Sequence, residues 1–458
     1  MRRLPVIRQS SLAVVLLLSV LTLGRADGQP PYDLRPLAEF EPQSAVLIGW
    51  WNLGSYGASA DTMWARAVEA IQEVAVAGIV VPDQETSIPI QGFLSSLGIP
   101  LTNVQFYPTD TMFSVWIRDY GPEFAYRENG WRVVVEAGYH PAFPQYIADE
   151  LGLPHYHAPI SMQGGNYMTD GASEVAVSGA YVSNPDFWQQ TVRQYFDLPL
   201  HIAPELVGEV CGHIDMYARF VAPSKVIVAE YANPTHNANM ELAAAEFEAR
   251  GFEVFRVMTP PVTNMAVPAD AIDDPALLHL PPGVEPPKGG TRSVYRTYTN
   301  GIQCNGKYLL PVYNHAYDAQ AAAVFQAALP DHEIVPINCN QIIPYGGALH
   351  CTSSDIQVTG LPRPDPLSVA AAGDDAVVSW PSVMGAVSYE VFRRVDPCGY
   401  GLHLDDPIGS TASPSWVDEG GFSVPQAVCY QVLAVTAGGV RSGMSPRVGG
   451  ARYELVLQ

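Results

Sequence analysis

Trp116-Ile117-Arg118-Asp119-Tyr120-Gly121-Pro122 is the first of five polar, glycine-containing clusters that set the organisation of this chain. The others are Gly164-Gly165-Asn166, Gly212-His213-Ile214-Asp215, Tyr298-Thr299-Asn300-Gly301 and Gly346-Gly347-Ala348-Leu349-His350-Cys351. Between them run amphipathic stretches with apolar residues at i, i+3, i+4 spacing: Asp61–Ala77, Asn184–Asp197, Met240–Arg250 and Asp318–Leu329, with shorter candidates at Ile90–Leu97 and Tyr146–Leu151. Most are followed by a brief strand: Val104–Tyr107, His201–Ala203, Glu253–Val257 or Glu333–Ile337. Asp119 and Asn166 are 47 residues apart, Asn166 and His213 again 47, and Asn300 and Cys351 51. The wider gap of 87 from His213 to Asn300 holds a proline-rich stretch, Pro260–Pro287, that reads as an insertion. A helix–strand–cluster unit repeated five times predicts an α/β fold of pseudo-symmetric repeats around an axis, with the clusters converging on one face.

This pattern spans residues 30–358. Three prolines in Pro362-Arg363-Pro364-Asp365-Pro366 make residues 359–366 a stiff linker. Residues 367–458 then change character: Ala376–Trp380, Ser388–Arg393 and Val428–Val435 are β-rich runs divided by turn residues, the signature of a small all-β sandwich. At the other end, Arg2, Arg3 and Arg8 precede an apolar run, Leu12–Leu23, too short to span a bilayer. With small residues at Gly24 and Ala26, residues 1–26 read as a cleavable export signal, giving a secreted or periplasmic protein with no membrane span in its mature form. Carboxylates exceed Lys plus Arg by 22. Such a surface repels phosphate backbones and excludes a general nucleic-acid binder, while favouring cationic small molecules or basic peptides. No C-x-x-C pair occurs among the six cysteines, and the His155-Tyr156-His157 pair lacks further ligands, so no metal is expected. Export permits disulfides, and Cys398 with Cys429 is the expected pair.

The clusters supply a thiol, a histidine, two aspartates and a tryptophan. Cys351 follows a Gly-Gly loop, and a nucleophilic cysteine needs a histidine to move protons. His213 qualifies; if its segment is a strand, Asp215, two residues on, faces the same pocket. Cys211 is a rival thiol without a glycine loop before it. Two carboxylates repel the oxyanion of acyl transfer but pair with a planar guanidinium, whose face Trp116 can cover.

In their order, Trp116-Ile-Arg-Asp-Tyr-Gly-Pro, Gly164-Gly-Asn, Gly212-His-Ile-Asp and Gly347-Ala-Leu-His-Cys resemble the motifs of the agmatine deiminase and bacterial-type peptidylarginine deiminase family of the guanidino-group-modifying superfamily. The resemblance implies a five-bladed α/β-propeller, the pentein fold. It implies Cys351 as nucleophile, His213 as acid and base, Asp119 and Asp215 as guanidinium-binding carboxylates, and Trp116 and Asn300 as substrate contacts, with no cofactor. The implied reaction converts peptidyl-arginine to peptidyl-citrulline, or agmatine to N-carbamoylputrescine, with release of ammonia. Family members of the peptidyl type place arginines beyond the aspartate motif, but the stretch Gly138–Pro144 has none, and His140 and Phe143 stand at the expected entrance. The tail resembles a fibronectin type III module and offers a surface for contact with a carbohydrate, protein or cell surface. The alternative is a secreted binding protein on a degenerate deiminase scaffold.

Overall fold

Helices begin where the chain supplies its own cap. Asn184 accepts the Phe187 N–H ahead of Pro185–Phe196, and Asn233 accepts the Thr235 N–H ahead of Pro234–Ala249. Both helices carry proline at their first residue, where no N–H is needed. Asp83 caps Gln84–Ser96 through the Thr86 N–H. The remaining long helices are Ala58–Ile71, Ala142–Leu151 and Asp318–Ala328. The computed structural model describes residues 26–27, 34–112, 114–138, 140–267, 290–395, 407–423, 427–442, 445 and 448–451.

All of these helices except Gln84–Ser96 join strands in the same order. An antiparallel pair is followed by a helix, then by a strand parallel to the second member of the pair. In the first such unit Glu123–Tyr126 pairs with Arg132–Glu136, and helix Ala142–Leu151 leads to His155–His157. The next runs through Met168–Thr169, Val175–Ser178 and, after its helix, Leu200–Ala203. The third has Ala218–Ala222, Lys225–Glu230 and Glu253–Met258, and the fourth Ile302–Cys304, Lys307–Val312 and Glu333–Asn338. A fifth is assembled from both ends of the catalytic segment. Ser353–Gln357 pairs antiparallel with Gln43–Gly49, which continues through Ala58–Ile71 to the parallel strand Val76–Val81, and through Gln84–Ser96 to Val104–Pro108. Five sheets with one internal order account for the recurring pattern in the sequence.

The reading of Asp61–Ala77 as one helix is corrected. The helix ends at Ile71 and Val76 already begins a strand. Apolar residues continue across the turn, so periodicity alone does not mark the break. Residues 268–287 of the proline-rich insertion Pro260–Pro287, and residues 1–25 of the expected export signal, lie outside the described residues. Strands Thr263–Val267 and Gly290–Val294 pair on either side of that stretch. No helix among the described residues is long and apolar enough to cross a membrane.

The C-terminal segment forms two antiparallel sheets. One holds Ser368–Ala372, Asp375–Ser379 and Ser415–Asp418; the other holds Gly409–Thr411, Ser388–Val395, Ala427–Val435 and Val448–Ala451. Val378, Trp380, Tyr389, Val391, Tyr430 and Val432 share their core. Arg394 lies opposite Cys429 in the ladder, so the strand preceding Cys398 runs beside the one carrying Cys429. Cys429 is disulfide-bonded, whereas Cys211, Cys304, Cys339 and Cys351 are free; Cys398 lies outside the described residues. The sandwich touches the catalytic segment where Arg35 donates to the Arg441 carbonyl at 3.2 Å, and the linker does so where Arg363 meets Glu128 at 3.0 Å.

Candidate active site

Two glycines define the space around which the clusters meet. A Cβ on Gly165 would stand 2.5 Å from His213 Nδ1, 3.0 Å from Asp119 Oδ1 and 3.3 Å from Asp215 Oδ2. A Cβ on Gly347 would stand 2.6 Å from Cys351 Sγ and 2.8 Å from the Trp116 ring. Only a residue without a side chain leaves room there for the functional groups to approach one another. Thus Asp119, His213, Asp215, Cys351 and Trp116, drawn from distant parts of the chain, converge on one buried site.

His213 and Asp215 do not reach it from a strand as expected. Ile214–Met216 is a single 3-10 turn, with His213 immediately before it in extended conformation. The turn is pinned by Asn166, whose Oδ1 accepts from the Ile214 N–H at 3.2 Å and the Ser178 N–H at 2.8 Å. Asn166 therefore shapes the site from below, as a turn residue. Arg118 turns away from Asp119 to Glu39 at 2.8 Å and Asp355 at 2.7 Å. His213 Nδ1 lies 3.6 Å from Asp119 Oδ1. The other ring nitrogen, Nε2, meets Gln163 Oε1 at 2.5 Å.

Asn300 organises the nucleophile. Its Nδ2 lies 3.1 Å from Cys351 Sγ and 2.9 Å from Asp215 Oδ2, while its Oδ1 accepts the Ala348 N–H at 2.9 Å. Cys351 Sγ is 3.5 Å from Asp215 Oδ2. Burial pushes the Cys351 thiol well above its ordinary value; Asp215 and Asp119 push the same way, and the Asn300 contact opposes them. A buried thiolate beside two carboxylates is costly, so the thiol is the resting form. Trp116 is almost wholly buried, edge-on to Tyr56, and its Nε1 has no partner among the described residues. Asp215 Oδ1 is likewise buried without a partner among them. Of these two, only the Asp215 oxygen is an acceptor, whereas the Trp116 indole nitrogen donates.

The rival Cys211 is also buried; its Sγ lies 3.0 Å from the Gly346 carbonyl. Burial pushes this thiol well up, helped by Glu209. Phe143 is corrected as well: it is fully buried and packs edge-on against Tyr120 at 5.5 Å, so it belongs to the core and not to an entrance. His140 hydrogen-bonds the Thr111 carbonyl at 2.9 Å. Sequence reading missed Gln163, Glu39, Glu209 and the part taken by His350. Gln163 was open to notice because it directly precedes the Gly-Gly turn. Glu209, four residues before His213, is held at Oε2 by the Gly212 N–H, and its carboxyl is pushed up to about 7, chiefly by burial. Among the described residues no group of His, Cys, Asp and Glu is disposed to hold a metal ion.

Fold and site together define a hydrolase that modifies guanidino groups. The chain belongs to the Porphyromonas-type peptidyl-arginine deiminase family, whose model matches residues 35–356. A Latilactobacillus sakei protein assigned by name to the agmatine deiminases is 23% identical over 361 residues, covering 69% of this chain and 94% of its own length. The solved agmatine deiminase of Enterococcus faecalis superimposes with a TM-score of 0.59 at 19% identity, over 73% of this chain and 99% of that one. The C. jejuni agmatine deiminase gives 0.58 at 17% identity, over 71% and 97%. At that identity the likeness establishes the fold of the catalytic segment.

Proposed function

We propose that this protein hydrolyses the guanidino group of agmatine or of an arginine side chain within a peptide, through a covalent intermediate on Cys351. The observation that carries the reading is the approach of Asp119, Asp215, His213 and Cys351 around the bare Cα of Gly165 and Gly347. A guanidinium held between Asp119 and Asp215 offsets one of the two negative charges that, together with burial, keep the neighbouring thiol protonated, so the substrate itself promotes formation of the thiolate. The thiol proton passes to His213 as the sulfur attacks the guanidinium carbon. The C–N bond to an unsubstituted nitrogen breaks as His213 delivers a proton to it, and ammonia leaves an S-linked amidine. Water then adds to the same carbon, His213 takes its proton, and the sulfur departs as thiolate from a ureido product. Asn300 steadies the sulfur, and Trp116 covers the cation.

Asp119 and Asp215 make the site wall acidic, which favours substrates without an adjacent carboxylate. The relatives named as agmatine deiminases support the small-molecule reading, whereas the export signal inferred for residues 1–26 supports a peptidyl substrate. We infer further that the five units close around the site as blades, and that the C-terminal sandwich is of the fibronectin type III kind. Ammonia release from agmatine, an internal arginine peptide, a C-terminal arginine peptide and free arginine tests the assignment, with the first two expected to give the higher kcat/KM. No turnover of any of the four would overturn it.

A further inference from the structure

His350 immediately precedes the nucleophile and is buried on every side. Its Nδ1 lies 2.7 Å from Asp215 Oδ2 and its Nε2 lies 2.7 Å from Glu39 Oε1. Ionised carboxylates accept hydrogen bonds and do not donate them, so the ring that satisfies both contacts carries a proton on each nitrogen. Glu39 is itself anchored by Arg118 at 2.8 Å and Arg219 at 2.5 Å. Although burial works in the opposite direction, Arg118, His350 and Arg219 hold the Glu39 carboxyl well below the usual range. On the substrate side, Asp215 Oδ2 is committed to His350 and to Asn300 Nδ2 at 2.9 Å, with Cys351 Sγ at 3.5 Å. The other oxygen, Oδ1, is buried with no partner among the described residues.

We propose that His350 is a positioning residue for the deimination: backed by Glu39, it clamps Asp215 through Oδ2, presents Oδ1 to the guanidinium, and sets a positive charge behind the carboxylate that lies beside the nucleophilic sulfur. The inference rests on the deiminase reading. A carboxylate tied at one oxygen by two donors cannot rotate, which fixes the direction from which the substrate is held. The ring's charge also limits the excess of negative charge around Cys351 and so favours its thiolate. Neither effect requires His350 to touch the substrate.

His350→Gln keeps a polar side chain of similar size but cannot span two carboxylates as a cation. It should lower kcat at least about tenfold while KM for a cationic substrate stays level or falls, because the site becomes more negative. A role in packing alone would instead leave kcat intact in the folded fraction, or raise KM and lower the melting temperature together; either result overturns the proposal. A double-mutant cycle with Asp215→Asn, read by the rate at which 2-chloroacetamidine labels Cys351, should show His350→Gln adding less than about twofold once Asp215 is neutral. Fully additive losses would mean that His350 does not act through Asp215. Should the variant fail to fold, neutron diffraction of the unaltered protein answers the same question. A proton on each ring nitrogen is expected, and a single proton overturns the proposal. Failure of the deiminase reading is separable, because it would appear as an absence of ammonia release by the unaltered protein.

Discussion

Cys351 and Cys211 are both buried thiols, beside the adjacent glycines Gly347 and Gly346, yet only Cys351 has Asn300 and Asp215 against its sulfur. Cys351→Ser should abolish turnover without loss of fold, and a haloacetamidine should label Cys351 and leave Cys211 unmodified; activity surviving Cys351→Ser would transfer the role to the other thiol. The raised Cys351 value sets a sign for pH. Near neutral pH the empty site holds less thiolate than a free cysteine, so alkylation by uncharged iodoacetamide should be slow and should accelerate as pH rises past the free-cysteine range. A cationic haloacetamidine should depend less on pH, since it brings the charge that offsets Asp119 and Asp215. Equal pH profiles for the two reagents would contradict that coupling. Each carboxylate also binds the cation directly. Loss of one such contact in a dry pocket costs about 3 kcal/mol, so Asp119→Asn and Asp215→Asn should each lower kcat/KM by at least about a hundredfold.

The elements that matter most are turns. Gly164–Asn166 and Ile214–Met216 are single 3-10 turns, and Asn166 ties them together through the Ile214 N–H. Gly165→Ala places a methyl group 2.5 Å from His213 Nδ1, inside contact distance. Steady-state assays should show a loss of kcat/KM of at least about tenfold, with a melting temperature close to that of the unaltered protein. Activity near normal would mean that the turn yields and the space between His213 and Asp119 is not used. Asn166→Ala should act the other way round. It strips a buried partner from two backbone N–H groups, costing about 1–3 kcal/mol of stability, and chemical denaturation should register this loss together with reduced turnover.

At the scale of the molecule, every group assigned to the chemistry precedes residue 358, and the sandwich meets the catalytic segment through contacts such as Arg35 with Arg441 and the packing of Val440 against the main core. A chain ending at Gly360 should therefore keep deiminase activity and lose only a few degrees of thermal stability. Abolished activity in a folded product would mean that the sandwich completes the site. Non-reducing peptide mapping should join Cys429 to Cys398 and leave the four catalytic-segment thiols free.

The sequence by itself determined the repeating organisation and most of the site, because both rest on local chemistry. Apolar periodicity and glycines beside Asp119, His213 and Cys351 are marks that neighbours along the chain impose on one another. It went astray where local signals agree with two outcomes. Apolar residues run unbroken from the helix ending at Ile71 into the strand starting at Val76, and a spacing of two residues suits a strand as well as the 3-10 turn at Asp215. Phe143 was legible as an aromatic but not as core, since only the packing of Tyr120 against it decides which way it faces. Glu39, Gln163 and His350 escaped for a further reason. Glu39 lies 311 residues from His350, and Gln163 lies 50 from His213. A buried ion is stable only when a partner meets it in space, and which partner that is was decided by tertiary structure, where strands from both ends of the catalytic segment close into one sheet.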